Sequence, residues 1–388
     1  MYTNFLNHHQ LPFCLRMHKL TDGGFTFVTQ KAIATKRIGT YEIMDGNYPF
    51  LLKTYENENN LQKAYDIALE ADVVIFGSSK IEYIKKRLNS KMITFRCSER
   101  LFKEKKNIKE IIRNIYIIIS RHGKYNNCPL YMLACSSYTA HDFNMLKVYT
   151  NKVYKWGYFP ESKKYSIDEL IKKKDGSILY AGRLIDWKHP EMVIEVAKKL
   201  KERNKTFVIN IIGQGEMENT LKQMIIDFSL EDNVNLLGSM SPDKVRSYME
   251  KASIFMVTSD YNEGWGAVVN EAMNSGCVCV CSHAVGATGF LIRHNSNGLV
   301  YKYGDINSAY DCVSEIIDNH QKQIELGKQA YKTIDELWNA DVAAKRFLVL
   351  SEKLKKGEDT PFNDGPCSKA KSISDRQMYD YLVSGKTL

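Results

Sequence analysis

Glu263 and Glu271 stand eight positions apart in the segment NEGWGAVVNEAMNSG, and Gly264, Trp265 and Gly266 follow the first glutamate directly. On a helix rising about 1.5 Å per residue, eight steps cover about 12 Å. That is close to the reach of a diphosphate carrying a sugar on one end and a ribose on the other. The two glycines let the backbone approach such a ligand, and N–H groups at a helix start favour phosphate between the two carboxylates. Each glutamate can then accept hydrogen bonds from sugar hydroxyls. Glutamates at this spacing are common on solvated helices, so the weight falls on their neighbours.

Those neighbours come in order. YAGRLIDWK places Gly182, Arg183 and Lys188 just past the β-rich run SILY. Ligands bind at the carboxyl ends of strands in open α/β sheets, and a departing nucleoside diphosphate needs positive charge. IGQGE sets Gly213 and Gly215 in a turn after the next strand, CSHAVGATGF follows a later one, and NGLV with Gly304 and Asp305 closes the series.

Taken together, the motifs from Ile178 to Asp305 resemble family 4 retaining glycosyltransferases, which have the GT-B fold. The resemblance implies an α/β protein with two Rossmann-like doubly wound domains facing a central cleft, with C-terminal helices. It implies that Glu263 contacts the transferred sugar, that Glu271 contacts the nucleotide ribose, and that Arg183 and Lys188 clamp the donor diphosphate. Glu263, Arg183 and Lys188 form the expected catalytic set. Gly182, Gly213, Gly215, Gly264, Trp265, Gly266 and Glu271 form the expected donor-binding set. Where relatives often carry two adjacent glycines, this chain has Gly286 and Ala287.

The N-terminal half matches the family loosely. Asn7-His8-His9-Gln10 replaces its glycine-rich turn, and Arg96 to Arg100 (RCSER) stands where a histidine is usual. His8, His9, Arg96 and Glu99 are the expected N-domain contacts. The implied reaction moves a hexose-type sugar from a nucleoside diphosphate to a glycan, lipid-linked or cell-envelope acceptor with retained configuration. Two other readings share the fold: a non-hydrolysing sugar-nucleotide epimerase, and a catalytically silent GT-B partner subunit. The intact Glu263, Glu271, Arg183 and Lys188 weigh against both.

The elements that must hold these residues are clearest after Ser177. SILYAGRL, FVINIIG, NVNLLG, SIFMVTS and VCVCS alternate with amphipathic runs, which predicts a parallel sheet in a Rossmann-like domain. Earlier, GFTFVT, DVVIFGS, KMITFRC, LYMLACS and KVYKWGY read as strands of a second α/β domain whose first strand, MYTNF, is short. The expected organisation is an acceptor domain over 1–160, a polar linker over 159–176 and a donor domain over 176–340. A helix and tail over 341–388 are expected to cross back to the N-domain, and the tail beyond Gly357 reads as polar and irregular.

The chain has 388 residues and a net charge of +9, unevenly spread. Lys80 to Lys124 holds fourteen Lys or Arg against four Glu, so the rest is about neutral. Within it, LFKEKKNIKEIIRNIYIII (101–119) pairs lysines with an apolar second half, as an interfacial helix does. An anionic membrane surface or anionic acceptor is the expected partner of this block. The competing reading packs Ile111, Ile112, Ile115 and Ile119 into the core. No nucleic-acid reading module accompanies the charge, so nucleic acid is not an expected partner.

No apolar run approaches the roughly 20 residues of a spanning helix, and MYTNFLNHHQLPFC does not read as a secretory signal. The expected location is cytoplasmic, peripheral at the inner face of the plasma membrane. The nine cysteines include no CxxC pair, and Cys277, Cys279 and Cys281 alternate along a strand as buried thiols. No Asp-x-Asp, HxxxH or HExxH pattern occurs. The expectation is therefore no metal and no cofactor, the nucleotide sugar being a co-substrate.

Overall fold

The computed structural model describes residues 1–31, 47–103, 108–386 and 388. Met1–Glu161 and Trp338–Ile373 form one unit, and Ser162–Leu337 and Ser374–Leu388 form the other.

In the first unit seven strands run parallel in the order β3-β2-β1-β4-β5-β6-β7. They are β1 (Tyr2–Thr3), β2 (Phe27–Thr29), β3 (Leu51–Lys53), β4 (Val74–Phe76), β5 (Thr94–Ser98), β6 (Leu130–Ala134) and β7 (Val153–Lys155). Tyr2 pairs with Val28 on one side and Phe76 on the other, so the two-residue β1 is the centre from which the order winds outward. Helices α1 (Leu11–Leu20), α2 (Glu58–Glu70), α3 (Glu82–Asn89), α4 (Ile108–Arg121) and α5 (Thr139–Met145) connect strands. Side chains cap them where polar residues fall at the boundary, as Asn57 does in accepting from the Asn60 N–H at 2.8 Å.

The second unit has six parallel strands in the order β10-β9-β8-β11-β12-β13. They are β8 (Ile178–Ala181), β9 (Ile209–Ile212), β10 (Val234–Leu236), β11 (Ile254–Val257), β12 (Val278–Ser282) and β13 (Gly298–Tyr301). Strands covered on both faces read as continuous apolar runs, and every residue of β11, β12 and β13 is buried. This unit carries α6 (Ile167–Lys172), α7 (Glu191–Glu202), α8 (Glu218–Asp227), α9 (Pro242–Lys251), α10 (Ala267–Asn274), α11 (Thr288–Leu291), α12 (Ile306–Asp318) and α13 (His320–Lys332). Pro242 opens α9 and Ser241 caps it, accepting from the Lys244 N–H. Two parallel Rossmann-like sheets, each wound outward from its first strand, make the fold GT-B.

Several boundaries differ from the sequence reading. The stretch read as a linker holds α6, whose Leu170 is buried, and the second unit begins at Ser162. The last segment divides. Helix α14 (Ala340–Lys355) folds with the first unit, while α15 (Asp375–Val383) belongs to the second. The tail between them is ordered by backbone bonds to β7: Lys155 N donates to Ser368 O at 2.7 Å and Cys367 N to Lys155 O at 2.8 Å. Lys155, itself buried, pairs with Asp364 at 2.7 Å.

The basic block is also less superficial than its count implies. Arg87 and Arg100 are buried. The Arg87 guanidinium donates to the carbonyls of Ala68, Ala71, Asp72 and Ile93, and Arg100 faces Asp142 at 3.5 Å. Lys105 and Lys106 lie outside the described residues. On α4, Ile118 is buried and Ile111 and Ile115 are half-buried, whereas Ile112 and Ile119 are exposed. The isoleucines thus serve two faces rather than one.

Candidate active site

Strands β8 and β11 are neighbours at the centre of the second sheet, where the winding changes direction. In open sheets of this kind, ligands usually bind outside the carboxyl ends of the strands at such a point. The β8 loop carries Arg183 and Lys188, and the β11 loop carries Glu263.

These residues meet. Lys188 Nζ forms an ion pair with Glu263 Oε2. Ser259 Oγ donates to the same carboxylate oxygen at 3.3 Å. The Arg183 guanidinium lies over the Trp187 ring, 5.3 Å from its centroid, and Lys188 Nζ lies 4.8 Å from it. Arg183 is exposed, whereas Lys188 and Glu263 are mostly covered. Two cations, one carboxylate and an indole face therefore stand together at the carboxyl ends of β8 and β11.

Residues that sequence reasoning passed over hold the two loops together. Thr258 Oγ1 donates to Lys188 O at 2.7 Å, and Asp260 N donates to Trp187 O at 3.0 Å. Asp260 also accepts from Asn262 N at 2.7 Å, while its own carbonyl accepts from Glu263 N at 3.1 Å. His189 follows Lys188 in the left-handed region, at φ 48°. That conformation is uncommon for a residue with a side chain. The imidazole stands 3.7 Å from Asp260, an ion pair beyond hydrogen-bond reach, and pairs with Glu191 at 2.7 Å. Asp260 and Glu191 raise the His189 pKa to about 9 against the cost of burial, so the ring is a cation at neutral pH. Burial works to raise the Asp260 carboxyl, but His189 and Asn262 outweigh it and hold it below its ordinary range.

The remaining donor-side residues sort differently from expectation. Glu263 is not on the helix: α10 begins at Ala267, and Gly266 caps it at φ 93°. The eight-step helical spacing therefore does not apply. The chain bends between the glutamates, and a Cβ at Gly266 would press Val285 at 3.0 Å. Glu271 lies on α10, and burial raises its carboxyl pKa, with Arg246 opposing. Trp265 is fully buried, and its indole N–H donates to Asn270 at 2.9 Å, so its side chain belongs to the core rather than to the Arg183, Lys188 and Glu263 group. Gly264 is buried beside it.

Gly213 and Gly215 are glycines because two loops touch. A Cβ on Gly213 would overlap the Gly182 carbonyl, and one on Gly215 would overlap the Leu184 carbonyl. Leu184 N donates to Gln214 O at 3.0 Å, which fastens the β9 turn beneath the Arg183 loop. The loop bearing Gly286 and Ala287 is tied to the Glu263 loop, with Gly286 N donating to Glu263 O at 3.2 Å and Ala287 N to Trp265 O at 2.9 Å.

In the first unit His9 stacks parallel on Tyr158 at 6.1 Å. The Tyr158 hydroxyl donates to Glu99 at 2.6 Å, and Lys103 pairs with Glu99 at 3.0 Å. His8 lies against His9, with ring centroids 3.7 Å apart. Burial, aided by His8, lowers the His9 pKa to about 3, so its ring is neutral. Arg96 does not join this group. It pairs across strands with Phe76, its guanidinium 4.9 Å over that ring.

Residues 161–333 match the family model described as Glycosyl transferases group 1. The chain is 28% identical over 182 residues to the amylovoran biosynthesis glycosyltransferase AmsK of Erwinia amylovora, covering 46% of this chain and 44% of that protein. It is 27% identical over 172 residues to the poly(ribitol-phosphate) alpha-N-acetylglucosaminyltransferase of Staphylococcus aureus, covering 44% of this chain and 34% of that one. The matches thus span under half the length of either curated relative. The fold is similar to that of Anabaena Alr3699/HepE, crystallised with UDP, at TM-score 0.64 and 14% identity over 92% of this chain and 99% of that chain. Among the described residues, no helix is long and apolar enough to cross a membrane.

Proposed function

We propose that this chain is a family 4-like retaining glycosyltransferase that moves a hexose-type sugar from a nucleoside diphosphate to a glycan or lipid-linked acceptor. The observation that carries the reading is the meeting of Arg183, Lys188 and Glu263 at the carboxyl ends of β8 and β11. Cations placed there can take the charge that develops on a leaving diphosphate, and a preorganised site does so without reorganising at the moment of reaction. Glu263 then stands where hydroxyls of the transferred sugar can donate to it. Glu271, farther along α10, is assigned to the ribose. Gly286 and Ala287, bonded back to the Glu263 loop, set that loop's position. No metal is assigned to the reaction, because Arg183 and Lys188 supply the positive charge.

The similarity to relatives that act in amylovoran biosynthesis and on poly(ribitol-phosphate) supports a polymer acceptor. Release of nucleoside diphosphate across a panel of donors, with and without saccharide acceptors, tests the reading. Release that depends on an acceptor supports transfer. Conversion of the donor sugar without an acceptor supports epimerisation, and no turnover with any donor supports the silent subunit.

The enzyme is further assigned to the surface of an anionic membrane through α4. Ile112, Tyr116 and Ile119 are 61%, 72% and 49% exposed. Their spacing puts them on one face of the helix, with exposed Lys109 and Arg113 beside them. Apolar side chains entering the lipid boundary flanked by basic charge give salt-sensitive binding worth about 1 kcal/mol per basic residue. Co-sedimentation with anionic and neutral vesicles across a salt series tests this. Protein that stays in the supernatant with anionic vesicles at low salt returns the charge to a soluble anionic acceptor or a solvated surface.

A further inference from the structure

Helix α15 lies beside β13 at the carboxyl edge of the second sheet, and a recess of about 270 Å³ opens between the helix and the loops that leave β11, β12 and β13. Its walls carry four rings. Tyr261 stands edge-on to His283 at 5.8 Å and to Tyr303 at 5.6 Å, and His283 stands edge-on to Tyr379 of α15 at 5.5 Å. Hydrogen bonds fix the central ring. His283 Nδ1 accepts from Tyr303 N at 2.9 Å, which places the ring hydrogen of the neutral tautomer on Nε2, 3.0 Å from the Tyr261 hydroxyl oxygen that accepts it. Burial keeps this imidazole neutral, with a pKa lowered to about 4.

The charged groups of the recess are Lys302 and Arg376 against Asp375 and Asp380, two of each sign. An anionic ligand gains no net attraction from such a set. A hydroxyl-rich neutral ligand uses both halves, donating to the carboxylates and accepting from the cations. The rings add aromatic surface against which the C–H side of a saturated ring can pack. The volume lies just under the roughly 300 to 1,000 Å³ typical of small-molecule sites, which suits one sugar ring with its remainder outside. We propose that this recess binds a neutral pyranose unit of a glycan.

The recess stands beside the donor frame without belonging to it. Tyr261 precedes Glu263 by two residues, and the Tyr303 hydroxyl meets His189 Nε2 at 3.3 Å. The inference stands independently of the donor assignment, because it concerns binding and not turnover.

Saturation-transfer NMR on the full chain tests it, with methyl glycosides of glucose, galactose, mannose and N-acetylglucosamine as probes. At least one glycoside gives a saturable signal at millimolar concentration. Affinity for it falls about tenfold or more in Tyr379→Ala and in Arg376→Ala, a change each titration resolves directly. Tyr379→Phe, which keeps the ring, retains most of the affinity. Arg376 is exposed on α15, so its variant reports on the recess even if Tyr379→Ala loosens the helix. The proposal is overturned if no glycoside saturates. It is overturned equally if both alanine variants bind like the parent, or if inorganic phosphate displaces the sugar.

Discussion

Lys188 and Glu263 are joined by an ion pair that ties the loop after β8 to the loop after β11. On the proposed assignment, a diphosphate approaching Lys188 competes with that carboxylate, so the pair would couple arrival of the leaving group to release of the group assigned to the sugar. Lys188→Ala is expected to lower turnover about a hundredfold to a thousandfold, the usual cost of removing one preorganised charge contact. Glu263→Gln should lose turnover to a similar degree while binding nucleoside diphosphate at least as tightly as the parent, since Lys188 then has no competitor. Calorimetric titration with UDP and GDP, beside a diphosphate-release assay, reads both. Parental turnover in folded Lys188→Ala would falsify the donor-site assignment.

His189 gives the frame a pH limit. Its folded pKa of about 9 exceeds the ordinary 6.5, so the folded state holds the extra proton between these values. The stabilisation is fully present below about pH 6.5 and fades as pH rises through about 9. The charged groups facing the ring are Asp260 from the β11 loop and Glu191 from α7, with the Tyr303 hydroxyl on its far side. Thermal unfolding measured from pH 6 to 10 should fall more steeply for the parent than for His189→Gln. Parallel curves would show that the imidazolium contributes nothing.

Gly213→Ala and Gly215→Ala should each destabilise the second unit, because the added methyl meets the carbonyl of Gly182 or Leu184. Neither carbonyl is a flexible side-chain end, and overpacking of this kind typically costs about 1 to 3 kcal/mol. Denaturant unfolding checks the size. Unchanged midpoints for both variants would mean that the Arg183 loop yields to the methyl group, and that its position is less rigid than its bonds to the β9 turn imply.

Diphosphate release is expected to persist in excess chelator, since Arg183 and Lys188 are assigned the leaving-group charge. Abolition by chelator and rescue by magnesium or manganese would overturn that assignment.

The parallel sheets were legible because a strand covered on both faces has no polar side to show, as in VCVCS and SIFMVTS. β3 was missed: Leu51-Leu52-Lys53 is an edge strand too short to display a period. Helix α6 was missed because Leu170 is its single buried residue in a charged stretch. At the site, Arg183, Lys188 and Glu263 could be read from local motifs. His189 and Asp260 could not, because they lie far apart in the chain and only the β8–β11 pairing brings their loops together. Trp265 misled for the opposite reason. It follows Glu263 closely, yet its direction is set by Asn270 and by packing near Phe290, neither of which a motif reveals. Arg87 counted as surface charge until four carbonyls claimed its guanidinium.

Neither unit is a single stretch of chain: the boundary is crossed between Glu161 and Ser162, between Leu337 and Trp338, and between Ile373 and Ser374. This order constrains folding during synthesis. Residues 1–161 leave the ribosome first, but the segment from Trp338 to Ile373, whose backbone bonds line the edge of β7, emerges only after all of 162–337 has been made. The N-terminal unit must therefore wait with an unpaired sheet edge while the second unit is made, and exposed strand edges are where nascent chains aggregate. Ribosomes stalled before Trp338 should hold an N-terminal unit that proteases cut readily, and synthesis through Leu388 should protect both units at once.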